Sequence, residues 1–303
     1  MVTPETVAAY VLPFVALAGV AWWLQRRRPG GVRGFLAYLV PRRVVRHRST
    51  WVDLQVLVAN RLVLPFVGIL GAAATASVAW LSAAGLEALA PGARGVLPGE
   101  HPAVSVGFTV ALALAYDFAT WVVHWAHHRI PRLWALHKLH HSAEVLSPLT
   151  AFRHHPGYEL DSELVDAALV GPFLGASFFL LGGPTDALTL FGVHVVFVAF
   201  QLLGAGLRHS HMWLSYGPWA SRLVISPAMH QIHHSADPRH HDRNFGEVFA
   251  IWDWMFGTLY VPAEPEELTF GLGEPQEHTS LWRAWIEPVR EALSPPRRPV
   301  ETA

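Results

Sequence analysis

The sequence predicts an all-α protein that crosses a membrane about five times and carries a histidine-rich helical cap. Three observations predict it. Hydrophobic residues make up 52% of the 303-residue chain and charged residues only 15%, against about 25% charged in an ordinary soluble domain. Five apolar runs approach the roughly 20 residues that a bilayer requires, at about 7–24, 62–81, 103–123, 164–181 and 188–207. Sixteen of the nineteen histidines fall between His124 and His241, most of them at helical spacing. Ala, Leu and Val dominate the runs, Gly and Pro punctuate them, and strand signals are weak throughout.

Taken in order, the first run reads as a span rather than a cleaved leader. It lacks a basic start, and Arg26, Arg27 and Arg28 follow it. Eight arginines lie between 26 and 48, so the positive-inside rule makes that loop cytoplasmic. The second run leads out to a Gly/Pro-rich loop holding one arginine, Arg94, and the third leads back. The fourth and fifth form a hairpin whose tip, Gly182-Gly183-Pro184, carries no basic residue. Every histidine cluster then faces the cytoplasm. Pro65 and Pro172 lie inside their runs and are candidate kinks. The chain divides into an N-terminal membrane region (1–102), a catalytic region (103–262) and a C-terminal cytoplasmic tail (263–303), disordered from about Pro288.

Composition excludes several functions. A net charge of −1 leaves no basic surplus for nucleic acid. With no cysteine, disulfides, iron–sulfur clusters and thiol nucleophiles are ruled out, and any metal must be held by His, Asp or Glu.

The histidines form three groups: His124, His127 and His128; His137, His140 and His141; and His230, His233 and His234. If the third span continues through His128, then His124 and His128 share one helical face as i, i+4 neighbours. Asp117 lies seven residues earlier on that face. An aspartate near the end of an apolar span costs up to about 3 kcal/mol, and a carboxylate there can accept the outer N–H of a ligating imidazole. His127 points about 100° away from His128. In HKLHH and HQIHH the i, i+3, i+4 spacing offers three nitrogens along one helical stripe, enough in total for two metals. His209 follows the fifth run directly and is a further ligand candidate; His211 is a weaker one. His154 and His155 fit a ligand, a supporting or a surface role. His194 fits hydrogen bonding or packing within its run. His47, His101, His240, His241 and His278 read as loop residues.

Imidazole suits Zn, Cu, Fe and Ni. A zinc hydrolase would need a carboxylate base; Glu144 and Asp237 are available, but there is no HExxH. A transporter or storage protein would prefer ligands inside the spans, where only His194 stands. Two metals suit the number of histidines best.

From Asp117 through Thr258 the sequence resembles the fatty acid hydroxylase/sterol desaturase superfamily of membrane di-iron enzymes. The motifs are Asp117-Phe118, His124, His128, Pro131, Leu133-Trp134 and His137 to Ser142; then Arg153-His154-His155-Pro156 and His209; then Pro227, His230 to Ser235, Asn244-Phe245-Gly246 and Trp252-Asp253 with Phe256-Gly257-Thr258. Trp125, His211 and Trp254 depart from the family pattern without removing a ligand. The resemblance implies two iron ions held by His124, His128, His137, His140, His141, His209, His230, His233 and His234. It implies support from Asp117, Arg153, His155, Asn244 and Asp253. It also implies O2 as co-substrate, a lipid substrate from the bilayer that is hydroxylated or desaturated, and an external electron-donor protein (cytochrome b5-like or ferredoxin/reductase). Trp121, Trp125, Trp134 and Phe118 read as an aromatic belt or as substrate contacts.

Overall fold

The computed structural model describes residues 4–24, 31–99, 101–184, 186–190, 193–273 and 279–294. The expectations for Arg26, Arg27, Arg28, His278 and the tail from Pro295 onward fall outside the described residues.

The architecture is helical: α1 (Pro4–Leu24), α2 (Gly31–Leu39), α3 (Arg42–Val45), α4 (Arg48–Leu89), α5 (Pro102–Arg129), α6 (Pro131–His141), α7 (Pro156–Leu181), α8 (Val195–Leu202), α9 (Gly217–Ala220), α10 (Pro227–His233), α11 (Ile251–Phe256) and α12 (Leu281–Leu293). Among the described residues three helices are long and apolar enough to cross a membrane: α4, α5 and α7. Leu62, Phe66, Ile69, Leu70 and Trp80 of α4 point outward, an exposed apolar face of the kind that suits contact with lipid. Pro65 and Pro172 do not break their helices.

The fifth run behaves differently from its hydropathy. Thr189–Leu190 (β1) and Val193–His194 (β2) pair as a minimal antiparallel hairpin, and among the described residues of the run α-helix is confined to the eight residues of α8. Gly204, at φ +104°, follows that helix. The β1–β2 pair before α8 and Gly204 after it bound the helix, although the whole run satisfies a hydropathy criterion. The run still carries the chain from Leu188, whose N–H donates to Thr109 Oγ1 near the start of α5, to His209.

A seam of small residues sets the α4–α7 crossing. A Cβ on Gly175 would stand 2.3 Å from the Ala79 carbonyl oxygen, and one on Gly171 2.9 Å from Val78. Side-chain-free contact of this kind lets apolar helices approach closely in lipid. At 42 residues, α4 runs roughly 63 Å, about twice the hydrocarbon thickness. Its first turns therefore project into the cap, where Ser49, Val52, Asp53, Val56 and Asn60 are buried.

The cap rests on that projection. Val52 and Val56 of α4 pack with Leu139 of α6 and Ala284 of α12. The region from Pro288 is thus not a free tail through Leu293: Pro288 is buried inside α12. A second core joins Ala18 and Ala21 of α1 to Tyr38 of α2 and to Leu207, Met212 and Leu214. A third joins Ile225, Met229 and Ala250 beneath α10.

Candidate metal centre

The last turns of α5 deliver His124 and His128, α6 delivers His137, His140 and His141, and α10 with its C-cap delivers His230, His233 and His234. His209 arrives two residues after the short helical turn Ala205–Leu207. All nine sequence-predicted ligands come together. They fall into two groups whose candidate ligand atoms lie within 4.8 Å of one another: His124, His128, His137, His141 and His233; and His140, His209, His230 and His234.

Helix geometry explains the division. Residues i and i+4 lie on one stripe, while i+3 is turned about 100° from i+4. On α6, His137 and His141 enter the first group and His140 the second. On α10 the assignment is reversed: His230 and His234 enter the second group and His233 the first. Each helix thus gives two imidazoles to one group and lends the third to the other. Stacking of His141 on His234, ring centroids 4.6 Å apart, joins the groups.

The spacing fits an ion. His141 Nε2 lies 3.2 Å from both His128 Nε2 and His137 Nε2. His209 Nε2 lies 3.1 Å from His140 Nε2, 3.0 Å from His234 Nε2 and 2.9 Å from His230 Nε2. Two nitrogens at right angles, each about 2.1 Å from one transition ion, stand about 3.0 Å apart. Backbone carbonyls, which only accept, fix two tautomers: His124 Nδ1–H donates to Phe245 O at 2.8 Å and His233 Nδ1–H to Arg243 O at 2.7 Å. The Nε2 atoms of both rings are buried without a protein partner. Such orphans are rare, and a metal ion satisfies both. At His230 the outer nitrogen instead faces a donor, Arg208 Nη2 at 2.8 Å.

In the cap, burial first and neighbouring charges second push His137, His140, His141, His209, His230, His233 and His234 well below the ordinary histidine range. They are therefore neutral, the form that ligates.

The supporting residues act at one remove. Asp117 does not touch His124: two helical turns, about 10 Å, separate them. Its carboxylate accepts the N–H groups of Val248 and Phe249 and the Trp252 indole N–H. Asp253 accepts from Phe245 N, Gly246 N, Trp121 Nε1 and Thr258 Oγ1. Together they pin the loop whose Phe245 carbonyl orients His124. Asn244, at φ +58°, donates to Met229 O and Tyr260 O and so clamps α10. Arg153 is 0% exposed; it donates to Leu139 O, Ser49 O, Asp53 Oδ1 and Ser142 Oγ, fixing α6 from behind. His155 bonds to α7 and α12. It caps α7, accepting from Gly157 N, and its Nε2–H donates to Trp285 O of α12.

The other histidines find structural roles. His127 Nδ1–H donates to Val123 O, and its Nε2 lies 3.3 Å from Asp161. His154 Nδ1 pairs with Glu159 at 2.7 Å, and its ring packs edge-on against His140. His211 Nε2–H donates to Tyr38 O. His47, His101 and His194 cap α4, α5 and α8. His240, read as a loop residue, is buried 3.1 Å from Glu266. Sequence reasoning missed Asp53, which shows as nothing more than one acid in an apolar helix. Trp134, read as an aromatic-belt or substrate-contact residue, packs its ring 5.0 Å from His128 and 5.4 Å from His141.

Residues 109–258 match the fatty acid hydroxylase family. The chain belongs to the fatty acid hydroxylase/sterol desaturase superfamily. Among curated relatives of this superfamily, alkylglycerol monooxygenase of Danio rerio is 29% identical over 169 residues, 56% of this chain and 34% of that one. Ornithine lipid hydroxylase OlsE of Rhizobium tropici is 26% identical over 168 residues, 55% and 46% respectively. A cholesterol 25-hydroxylase-like protein of Danio rerio is 27% identical over 161 residues, 50% and 54% respectively. The chain spans between about a third and about half the length of these relatives. No solved structure matches.

Proposed function

We propose that the protein is a membrane-bound di-iron oxygenase that inserts oxygen into, or desaturates, a C–H bond of a lipid. One observation carries the reading: nine largely buried imidazoles converge as groups of five and four, with nitrogen spacings that suit two ions. The donor set is all nitrogen, without thiolate, which suits Zn, Cu, Ni or Fe. Superfamily membership favours iron.

When bound in this setting, iron supplies the electron transfer that O2 activation requires. In hydroxylation one oxygen atom would enter the C–H bond; the other would leave as water, with two electrons from an external donor protein and two protons from solvent. The chain's own residues do the rest. The nine histidines hold the ions, and Phe245 O and Arg243 O keep His124 and His233 in the ligating tautomer. Buried Met229, Ile232, Leu139 and Phe245 keep bulk water away.

The long helices α4, α5 and α7 cross the bilayer in this reading, and the cap faces the cytoplasm. Arg33, Arg42, Arg43, Arg46 and Arg48 support that orientation. They precede or begin α4 at its cap end, where Arg48 pairs with Glu144 at 3.2 Å.

The hydrolase reading loses its proposed bases. Glu144 is paired with Arg48, and Asp237 with Arg239 at 2.7 Å. Turnover under isotopically labelled O2 tests the choice. A lipid product carrying one labelled oxygen atom supports the oxygenase; product formed equally without O2 overturns it.

A further inference from the structure

A cavity of about 380 Å³ lies against the outer wall of the histidine centre. It touches His128, His141 and His233 of the first group and His234 of the second. Whatever fills it stands beside both groups at once.

Its remaining walls have two characters. Trp134, Ala236 and Leu272 are apolar, while Ser235, His241 and Asp242 are polar. Ser235 Oγ already accepts from Asp237 N, which leaves its hydroxyl proton to donate. Asp242 stands at φ +60°, a left-handed turn conformation that aspartate adopts. Its carboxylate pairs with Arg129 at 3.0 Å, so it brings no unbalanced charge to the rim. A hydrocarbon chain placed here would strip water from Ser235, His241 and Asp242 and return no hydrogen bond. A hydroxylated head returns them.

A second cavity, of about 410 Å³, makes the contrast. It is apolar, lined by Ala76, Trp80, Phe108, Leu174, Phe178 and Leu181 among others. Phe108 stands twenty residues before His128 on α5, roughly 30 Å at 1.5 Å per residue. That cavity belongs to the far end of the spanning helices and does not reach the histidines.

We propose that the cavity at Trp134, Ser235 and Asp242 seats the uncharged, hydroxylated head of a lipid, so that the carbon oxidised lies within a few bonds of that head and not at mid-chain. The proposal rests on the oxygenase reading and narrows its substrate class.

Two photoreactive 1-O-alkylglycerols test it, one with a diazirine on the chain carbons beside the head and one with it at the chain end. Each is irradiated with the iron-loaded protein in lipid nanodiscs, and labelled residues are mapped by mass spectrometry. The head-proximal probe is expected to mark Trp134 or the segments 233–242 and 271–272, and the chain-end probe α4, α5 or α7. Leu272→Trp, at the rim and away from the ligands, is expected to cut head-proximal labelling about tenfold with iron content unchanged. An alkylglycerol is expected to compete about tenfold better than a fatty acid or an alkylammonium of equal length. Chain-end labelling of the cavity, equal competition by charged lipids, or Leu272→Trp labelling at the wild-type level each overturns the proposal. Correct labelling with no O2-dependent product overturns the oxygenase reading and leaves the head seat standing.

Discussion

Asp117 and His124 share one face of α5, yet they communicate through a loop and not by contact. Asp117 holds the N–H groups of Val248 and Phe249, and the Phe245 carbonyl of the same loop accepts from His124 Nδ1. Asp117→Ala releases three donors. It is expected to cost about 3 kcal/mol, since each buried group left unsatisfied costs about 1–3. Part of the bound iron is lost with it, because His124 loses its orienting carbonyl. Thermal unfolding and metal analysis of the purified variant check both; unchanged iron with lowered stability would separate the loop from the metal site.

The exchange of i+3 histidines between α6 and α10 makes a paired prediction. His140 belongs to the four-histidine group and His233 to the five-histidine group. His140→Ala and His233→Ala should each lower iron from about two to about one per chain, at opposite sites, with membrane insertion retained. Mössbauer spectra of the two variants should lose different components. Loss of the same component in both would refute the division.

Arg153 and Asp53 form a fully buried pair with an N–O distance of 2.9 Å. Removing one partner strands the other charge, so Arg153→Ala is expected to destabilise by about 3–5 kcal/mol. Asp53→Asn keeps one acceptor oxygen for Ser147 and Thr150 but turns its amide NH2 toward the Arg153 guanidinium, so that charge is stranded too and the variant should destabilise by a similar amount. Midpoints of thermal unfolding in detergent check both, and wild-type stability in either variant would contradict it.

The buried cap histidines predict an acid limit for the metal-free fold. Burial lowers their folded pKa, so the unfolded chain binds more protons below its ordinary value of about 6.5. Stability therefore rises with pH and falls progressively as pH drops through that value toward the depressed folded pKa values. Iron shifts the limit lower, since it competes with protons for the same nitrogens. Unfolding midpoints from pH 8 to pH 5, with and without metal, check the sign; a flat profile for the metal-free protein would contradict it.

The histidine clusters were legible because helical spacing is local. His124 with His128, and the two i, i+3, i+4 triplets, state in sequence that imidazoles share a stripe. Their division between two groups was not legible, because it depends on α6 and α10 facing each other. Asp117 was readable as an unusual acid, but its partners lie more than 130 residues away, in a loop without periodicity. Asp53 was hidden because α4 reads as one apolar helix, although its first turns are buried in the cap. Hydropathy marked the fifth run by transfer energy, which is blind to the strand pair before α8 and to the positive φ of Gly204 after it. His155 sits beside an arginine that does support α6, and sequence adjacency could not separate a brace from a helix cap.

Iron content per chain, measured on protein purified from its membrane without added metal, tests the central claim most directly. The arrangement predicts about two irons per chain, with X-ray absorption showing nitrogen ligands at imidazole distances. One zinc per chain with no iron, or a single metal bound after iron reconstitution, would contradict it.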